Sequence, residues 1–260
     1  MRIHRSIAVA VAALATLAQA TAPPAVLAAA PPATPPLTAL YADPKQPDFS
    51  GIWVVTAFNF TQDKVLPKLL GEYKALFEKR DAAVKAGIAI DDDTANCLPS
   101  GMPHLLVVPY PFELMQTPGR VTFLYEYDSV VRRVPLDARL EINEDAVSYH
   151  GDSAGHWDKD TLVIETINIR GDTQLDFSGL PHSDVLKVTE RWRRKDATTL
   201  ENRITLDDPK AYAEPFTVTK LYRLRPTWKI SEYVCEENNR NQSDAEGRTS
   251  SGVPAPKQER

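Results

Sequence analysis

The sequence lacks the short motifs that mark most cofactor and metal sites. It has no glycine-rich phosphate loop after a strand, no CxxCH haem-attachment motif and no HExxH zinc motif. Its two cysteines, Cys97 and Cys235, lie in no CxxC motif and have no cluster of cysteine and histidine around them. We therefore predict that the protein binds no cofactor and no metal.

Long apolar runs are also missing. The strongest run, residues 7–17, is shorter than the roughly 20 residues that a transmembrane helix needs. Arg2 and Arg5 precede it, and the small-residue sequence Ala18-Gln19-Ala20 follows, which is the layout of a secretory signal. We predict a signal peptide over residues 1–20, with cleavage between 20 and 30, and a periplasmic or secreted protein without a stable membrane span. An uncleaved membrane anchor is the alternative.

Two further stretches have no apolar pattern from which a core could form. Residues 21–40 are rich in Ala and Pro, which predicts an extended linker. Residues 241–260 are mostly polar and charged, which predicts a disordered tail. Between them, residues 41–240 suffice for one substantial core, so we predict a single β-rich domain. The oligomeric state stays open.

Basic residues are outnumbered by acidic ones. The chain has a formal net charge of −5, and loss of Arg2 and Arg5 with the first 40 residues leaves −7. An acidic exported domain is poorly suited to holding phosphate backbones. The one basic run, residues 191–195, would alternate between the two faces of a strand. We predict no nucleic-acid partner.

Export would place Cys97 and Cys235 in an oxidising compartment, where a pair of thiols tends to form a disulfide. We predict a Cys97–Cys235 bond, with two buried free thiols as the alternative.

Most of the chain has strand-like patterning, with one helix predicted near residues 67–86 from apolar spacings of three and four. The predicted strands are residues 52–56, 121–127, 130–136, 161–166, 185–192, 199–206, 216–224 and 229–235. Strands that recur without alternating helices predict a mainly β fold, an antiparallel lipocalin-like barrel or a strongly curled sheet.

Gly51-Ile52-Trp53 resembles the G-x-W that begins the first strand of lipocalin-like barrels. The resemblance implies that a basic residue late in the barrel covers the Trp53 ring, with Arg223 or Arg225 in that role. The inserted helix departs from the lipocalin layout, so the resemblance implies a barrel and says little about a ligand.

Four segments resemble a group of uncharacterised exported bacterial proteins. They are residues 109–116 (PYPFELMQ), 155–162 (GHWDKDTL), 181–184 (PHSD) and 207–212 (DDPKAY). This resemblance implies export and a single domain, and it implies no activity.

The densest group of chemically useful residues lies between His150 and Asp158. On an extended strand, His150, Asp152 and His156 would share one face. Two imidazoles and a carboxylate are suited to acid–base chemistry, or less readily to a metal. The alternative is a glycine-rich turn with polar surface side chains.

A second candidate is His182, which precedes a predicted strand and has Asp184 two residues on. A carboxylate could orient this imidazole at the mouth of a barrel. The alternative is a turn in which Ser183 and Asp184 bond the backbone.

Four aromatic residues are candidates to line a pocket for a flat apolar or aromatic molecule: Tyr125, Tyr127, Trp157 and Trp192. Plain core packing is the alternative.

These residues predict an exported β-barrel that binds a small, largely apolar or aromatic ligand. The alternative is a cofactor-independent lyase, dehydratase or isomerase in the same barrel, with the histidines and carboxylates above as acid and base. A third hypothesis is a structural or interaction module of the cell envelope.

Overall fold

The computed structural model describes residues 45–60, 66–86, 97–235 and 237, together with two short strands near the C-terminus. The predicted signal peptide, the whole predicted linker and most of the predicted tail lie outside the described residues.

One antiparallel sheet contains nine strands. Their bounds are β1 Gly51–Val55, β2 Phe112–Thr117, β3 Arg120–Tyr125, β4 Val131–Pro135, β5 Asp152–Asp158, β6 Thr161–Ile167, β7 Lys187–Asp196, β8 Thr199–Asp207 and β9 Phe216–Leu224. A separate two-stranded hairpin consists of β10 (Gln242–Ser243) and β11 (Thr249–Ser250).

The sheet curls into a nearly closed barrel. The strand order is β4-β3-β2-β1-β9-β8-β7-β6-β5, so β4 and β5 form the two edges of the sheet. These edges meet at one isolated bridge between Leu136 and Gly155, and the Asp137 amide donates to the Gly155 carbonyl at 2.7 Å. We call the line where β4 and β5 meet the seam. The predicted barrel is confirmed, with side chains rather than a hydrogen-bond ladder closing most of the seam.

Alternate residues of the strands fill the barrel interior. In β3, for example, Val121, Phe123 and Tyr125 are buried while the residues between them are partly exposed. The same period of two recurs in β8 and β9, as expected for a sheet with one face turned to a core. The interior is therefore dominated by large apolar and aromatic side chains, whose burial is the main stabilising contribution.

Trp53 is covered by a basic residue, although not by either predicted one. The Arg194 guanidinium lies 5.3 Å from the centre of the Trp53 ring. Arg223 instead donates to the Thr199 hydroxyl, and Arg225 lies over Trp228. The prediction failed because Arg223 pairs with Val54, one residue out of phase with Trp53, and so faces outwards.

The helix α1 spans Gly71–Lys85 and begins four residues later than predicted. The preceding residues are extended because Leu69 forms a bridge with Tyr212 and the Leu70 amide donates to the Ala211 carbonyl at 2.8 Å. The helix is thus attached to the barrel through its N-terminal side.

Two strand predictions need correction. Residues 229–235 form no strand, because β9 already pairs with β1 on one side and β8 on the other. The segment is held instead by the Ser231 amide, which donates to the Glu126 carboxylate, and by Tyr233, which packs against Tyr110 and Tyr127. Conversely, the glycine-containing run in β5 is a strand rather than a turn.

The predicted Cys97–Cys235 disulfide is confirmed. It joins the segment before the buried residues 102–108 to the segment after β9. Among the described residues, no helix combines the length and apolar character that a membrane crossing would need.

We expect the Cys97→Ser/Cys235→Ser variant to be markedly less stable than the native protein, because the bond closes a loop with a sequence separation of 138 residues. The chain-entropy model gives a loss of about 4–5 kcal/mol for a loop of this length. Urea unfolding followed by circular dichroism measures it. Reductant should weaken the native protein and leave the variant unchanged; equal stability of the two proteins would contradict the expectation.

Candidate ligand site inside the barrel

A buried ion pair lies inside the barrel. Arg132 of β4 and Glu190 of β7 approach to 2.6 Å, and their side chains are 3% and 0% exposed. Glu190 faces inwards because it alternates with the buried residues Val188 and Trp192. The Trp192 indole and the Asn202 amide both donate to the second Glu190 oxygen, at 2.9 and 3.4 Å. The carboxylate is thus well partnered.

The Arg132 guanidinium links four strands. Besides Glu190, it donates to the Thr166 hydroxyl of β6 at 2.8 Å and to the Ser153 hydroxyl of β5 at 3.1 Å. Ser153 and Thr166 also bond each other at 3.0 Å. Since Arg132 lies on one edge of the sheet and Ser153 on the other, this network bridges the seam.

Three buried polar atoms beside the ion pair make no hydrogen bond of good geometry: Arg132 Nη1, the Tyr125 hydroxyl and Asn202 Oδ1. Arg132 and Tyr125 lie close enough to interact with each other, as do Asn202 and Tyr222. Burial raises the pKa of Tyr125, against the opposing effect of the Arg132 charge, so the phenol stays protonated and can donate. A buried polar group without a partner costs about 1–3 kcal/mol, and such groups indicate a bound water or ligand. We call this set the Arg132 cluster: Arg132, Glu190, Tyr125, Ser153, Thr166 and Asn202.

Aromatic rings surround the Arg132 cluster. Neighbouring rings have centroids 4.8 to 6.1 Å apart. We call this set the aromatic wall: Phe112, Phe123, Tyr125, Trp192 and Tyr222. Two of the four predicted ligand-binding residues, Tyr125 and Trp192, belong to it. The site therefore combines flat apolar surface with a few polar groups, as small-molecule sites do.

His150 is half-buried and lies near enough to Arg132 for the guanidinium charge to affect its pKa. Its Nδ1 atom is buried without a partner. Burial lowers the pKa of His150 to about 4, and the positive charge of Arg132 acts in the same direction. The imidazole is consequently neutral at pH 7. Ser153 is also half-buried, whereas the other members of the Arg132 cluster are buried, so Ser153 is its most exposed member.

The structure does not bring His150 together with Asp152 and His156. Gly151 has φ +61 and turns the chain between His150 and β5. Asp152 and His156 do share a face, but both are exposed on the outer side of the barrel. Asp152 accepts a hydrogen bond there from the Asn168 amide at 2.7 Å.

His182 and Asp184 are also separated. His182 is fully buried; its Nδ1 bonds the Ser183 carbonyl at 2.9 Å and its Nε2 bonds the Thr173 hydroxyl at 2.8 Å. Burial lowers the pKa of His182. Asp184 is exposed and pairs with Lys210 at 2.8 Å. Both ring nitrogens of His182 are occupied by protein groups, which is the arrangement of a histidine that supports a loop.

The other two aromatic candidates lie outside the Arg132 cluster. Tyr127 follows β3 in a short 3₁₀ helix, where its ring packs against Tyr110 and Tyr233. Trp157 lies on the inner side of β5 with its ring centre 5.3 Å from that of Phe49. The four predicted residues therefore occupy three places rather than one.

Two cavities of ligand size are lined by described residues. One, of about 400 Å³, lies beside the β2–β3 turn and is lined by Gln46, Gln116, Thr117, Pro118, Gly119, Val121, Leu136, Asp137 and Trp157. The other, of about 320 Å³, is lined chiefly by apolar side chains, with Asp184 among the polar ones. None of the predicted histidines, His150 included, lines either cavity. An acid–base role rests on His150 alone, because His156 is exposed on the outer face and both ring nitrogens of His182 are bonded. Within the described part of the chain, no group of three or more histidine, cysteine or acidic side chains is arranged to hold a metal.

Arg132 and Glu190 were not predicted as site residues, because charged side chains in a strand are ordinarily assigned to the solvent face. The signal was present in the alternation. Glu190 lies between Val188 and Trp192 at a spacing of two, and Arg132 has the same spacing from Val134.

No protein-family model matches this chain, and no protein of curated function is similar to it. Among solved structures, the chain is similar to a secretary abundant heat soluble (SAHS) protein from Ramazzottius varieornatus, with 10% identity and a TM-score of 0.26 over 68% of this chain and 95% of that one. The fold assignment rests on the strand pairing itself. The resemblance to exported bacterial proteins stays a prediction.

We expect the Arg132→Met variant to lose about 3–5 kcal/mol of unfolding free energy, because it leaves the Glu190 carboxylate buried without its counter-charge. The double variant Arg132→Met/Glu190→Gln should lose much less, since the uncompensated charge is gone. Urea denaturation measures both. Lys210→Met, which breaks the exposed pair with Asp184, is the control and should change stability by less than about 1 kcal/mol. Additive losses in the double variant would contradict a dominant ion pair.

Proposed function

We propose that the protein is an exported barrel that binds a small, largely apolar or aromatic molecule at the Arg132 cluster. The observation that carries this proposal is the pair of adjacent buried donors, Arg132 Nη1 and the Tyr125 hydroxyl, which make no hydrogen bond of good geometry and lie next to the aromatic wall. The predicted signal peptide and the Cys97–Cys235 bond support a periplasmic or secreted location.

The donors specify the polar part of the ligand. A guanidinium N–H and a phenol O–H both require an acceptor, which a carbonyl or carboxylate oxygen supplies. The aromatic wall suits a flat ring, because offset or edge-to-face contacts between rings are favourable. We therefore propose a ligand with one aromatic or apolar body and a carbonyl or carboxylate group.

Entry at the seam is the natural route to this site. Elsewhere in the barrel a ligand would have to separate two strands joined by a continuous ladder. Between β4 and β5 the bridge at Leu136 and Gly155 and the bonds of Arg132 are the contacts to be displaced. Local opening is easiest where such backbone bonds are few.

The test is a titration of the purified protein with acetophenone, benzoate and ethylbenzene, followed by calorimetry. We expect acetophenone or benzoate to bind and ethylbenzene to bind at least about tenfold more weakly, because it leaves the donors unpaired. Tyr125→Phe should weaken the favoured ligand about five- to tenfold through the lost hydrogen bond. Tyr127→Phe, outside the cluster, is the matched control. Equal affinity for all three probes, or an unchanged affinity of the Tyr125→Phe variant, would contradict the proposal.

A second candidate function is acid–base catalysis at the same site, and His150 favours it. Its neutral imidazole has an unpartnered Nδ1 and lies near enough to Arg132 to feel its charge. With a ketone oxygen held by Arg132 and Tyr125, His150 would take a proton from the adjacent carbon, and the C–H electrons would form an enolate. If the ketone has a C=C bond next to that carbon, the enolate extends over it, and return of the proton to the far carbon of the C=C bond is an isomerisation.

If this candidate holds, the protein will speed deuterium exchange of the methyl protons of acetophenone in D₂O, as followed by NMR. Because burial and Arg132 lower the pKa of His150 to about 4, the base form persists on acidification, and the rate should hold from pH 7 to about pH 5 and fall towards pH 4. His150→Gln should abolish exchange while acetophenone still binds. His156→Gln, on the outer face, should change nothing. Binding without exchange in the native protein leaves the binding function and dismisses catalysis.

A further inference from the structure

The cavity beside the β2–β3 turn has a composition unlike that of the Arg132 cluster. It measures about 400 Å³. Its side chains come from the segment before β1, from the ends of β2 and β4, and from β5, so it opens at the end of the barrel. None of the described residues that line it is basic, and Asp137 is the one acidic residue among them. The cavity therefore favours a positive charge.

Trp157 supplies an aromatic surface in this cavity. It faces the inner side of β5 because it pairs with the buried Leu162 and alternates with the exposed His156. Packing against Phe49 fixes part of its ring. The ring is still half-buried and lines the cavity. The face of an indole attracts cations more strongly than that of any other side chain.

The cavity has one buried acceptor that no protein donor uses. Gln46 Oε1 is buried without a partner. The Gln116 amide is already used, since its oxygen accepts from the Phe49 amide and its nitrogen donates to the Pro47 carbonyl at 3.0 Å. The free acceptor at Gln46 thus requires a ligand that donates.

A backbone hydrogen bond at the seam fixes the position of Asp137. Its amide donates to the Gly155 carbonyl at 2.7 Å, and its backbone has φ +60. The left-handed conformation is one that Asp and Asn tolerate better than most residues. The carboxylate is therefore carried on a fixed backbone at the cavity rim, where it can meet a ligand charge.

We infer that this cavity binds a small organic ammonium ion, a primary amine carrying one ring or a short apolar chain. The ammonium group donates to Gln46 Oε1 and pairs with the Asp137 carboxylate, and the apolar part lies against Trp157. The volume, near the lower end of the usual range of about 300–1,000 Å³, suits a molecule with a single ring. This site is separate from the Arg132 cluster, which requires a ligand that accepts hydrogen bonds.

Calorimetric titration with phenethylamine, phenethyl alcohol and 3-phenylpropionate tests the inference, because the three probes have similar bodies and differ in charge. We expect phenethylamine to bind at least about tenfold more tightly than the alcohol, and its affinity to fall as salt rises, since an exposed carboxylate is screened. Asp137→Asn should reduce phenethylamine affinity about tenfold and leave the alcohol unchanged.

Asn at position 137 keeps the shape of the side chain and tolerates the positive φ, so the variant retains the local backbone. Asp160→Asn, an exposed carboxylate in the β5–β6 turn, is the matched control and should bind phenethylamine like the native protein. The inference is overturned if phenethylamine binds no better than the alcohol, or if Asp137→Asn binds it unchanged. The salt dependence is measured on the native protein and decides the matter even if the variant misfolds. Tyr125→Phe should leave phenethylamine affinity intact, which separates this result from that at the Arg132 cluster.

Discussion

The ion pair between Arg132 and Glu190 is the contact on which the arrangement of this barrel depends. Closing a sheet into a barrel is favourable only if bonds form between its two edge strands. Here Arg132 on one edge donates a hydrogen bond to Ser153 on the other. The same guanidinium is neutralised by a carboxylate from a strand deep in the sheet. Desolvating both charges is costly, and that cost is offset only where the geometry is good and the remaining polar atoms are bonded. Thr166, Ser153, Trp192 and Asn202 supply most of those bonds, so five strands and the seam are linked through one polar centre.

That centre also explains the electrostatic character of its neighbours. Inside a barrel of aromatic side chains the local dielectric is low, so charge effects reach further than in water. Burial raises the pKa of Tyr125 and lowers that of His150, and the Arg132 charge adds to the second effect. Both groups are therefore neutral at pH 7, one able to donate and the other able to accept. The barrel interior thus has two donors, on Arg132 and Tyr125, without a well-formed hydrogen bond to an acceptor. The cavity at its end has a buried acceptor, Gln46 Oε1, and the Asp137 carboxylate.

The sequence predicts the barrel well and the site only in part, for different physical reasons. Strands with β-branched alternation were predicted closely, and β9 agrees at both ends. Residues 229–235 have the same local pattern but find no open edge, because pairing depends on which neighbours are already occupied. Tyr125, Trp192 and His150 were recognised as candidates, whereas Arg132 and Glu190 were not. A buried charge is stabilised by a partner that can be distant in sequence, and Arg132 and Glu190 are 58 residues apart. The sequence near either residue therefore does not identify its partner.

The segment from His150 to Asp158 shows how one backbone angle changes which side chains share a face of the sheet. Alternation along an uninterrupted strand would have put His150 on the face of Asp152 and His156, outside the barrel. Gly151 prevents this: at φ +61 it reverses the local direction, and a Cβ there would lie 2.3 Å from the Ile167 carbonyl oxygen, so no other residue fits. The strand restarts at Asp152 with Ser153 facing inwards, where it bonds Arg132, and the half-buried His150 lies within reach of the Arg132 charge. Because Ser153 lies where the ladder between β4 and β5 is missing, its hydroxyl can bond Arg132 across the seam, and one glycine conformation thereby determines how the two edges of the barrel are joined.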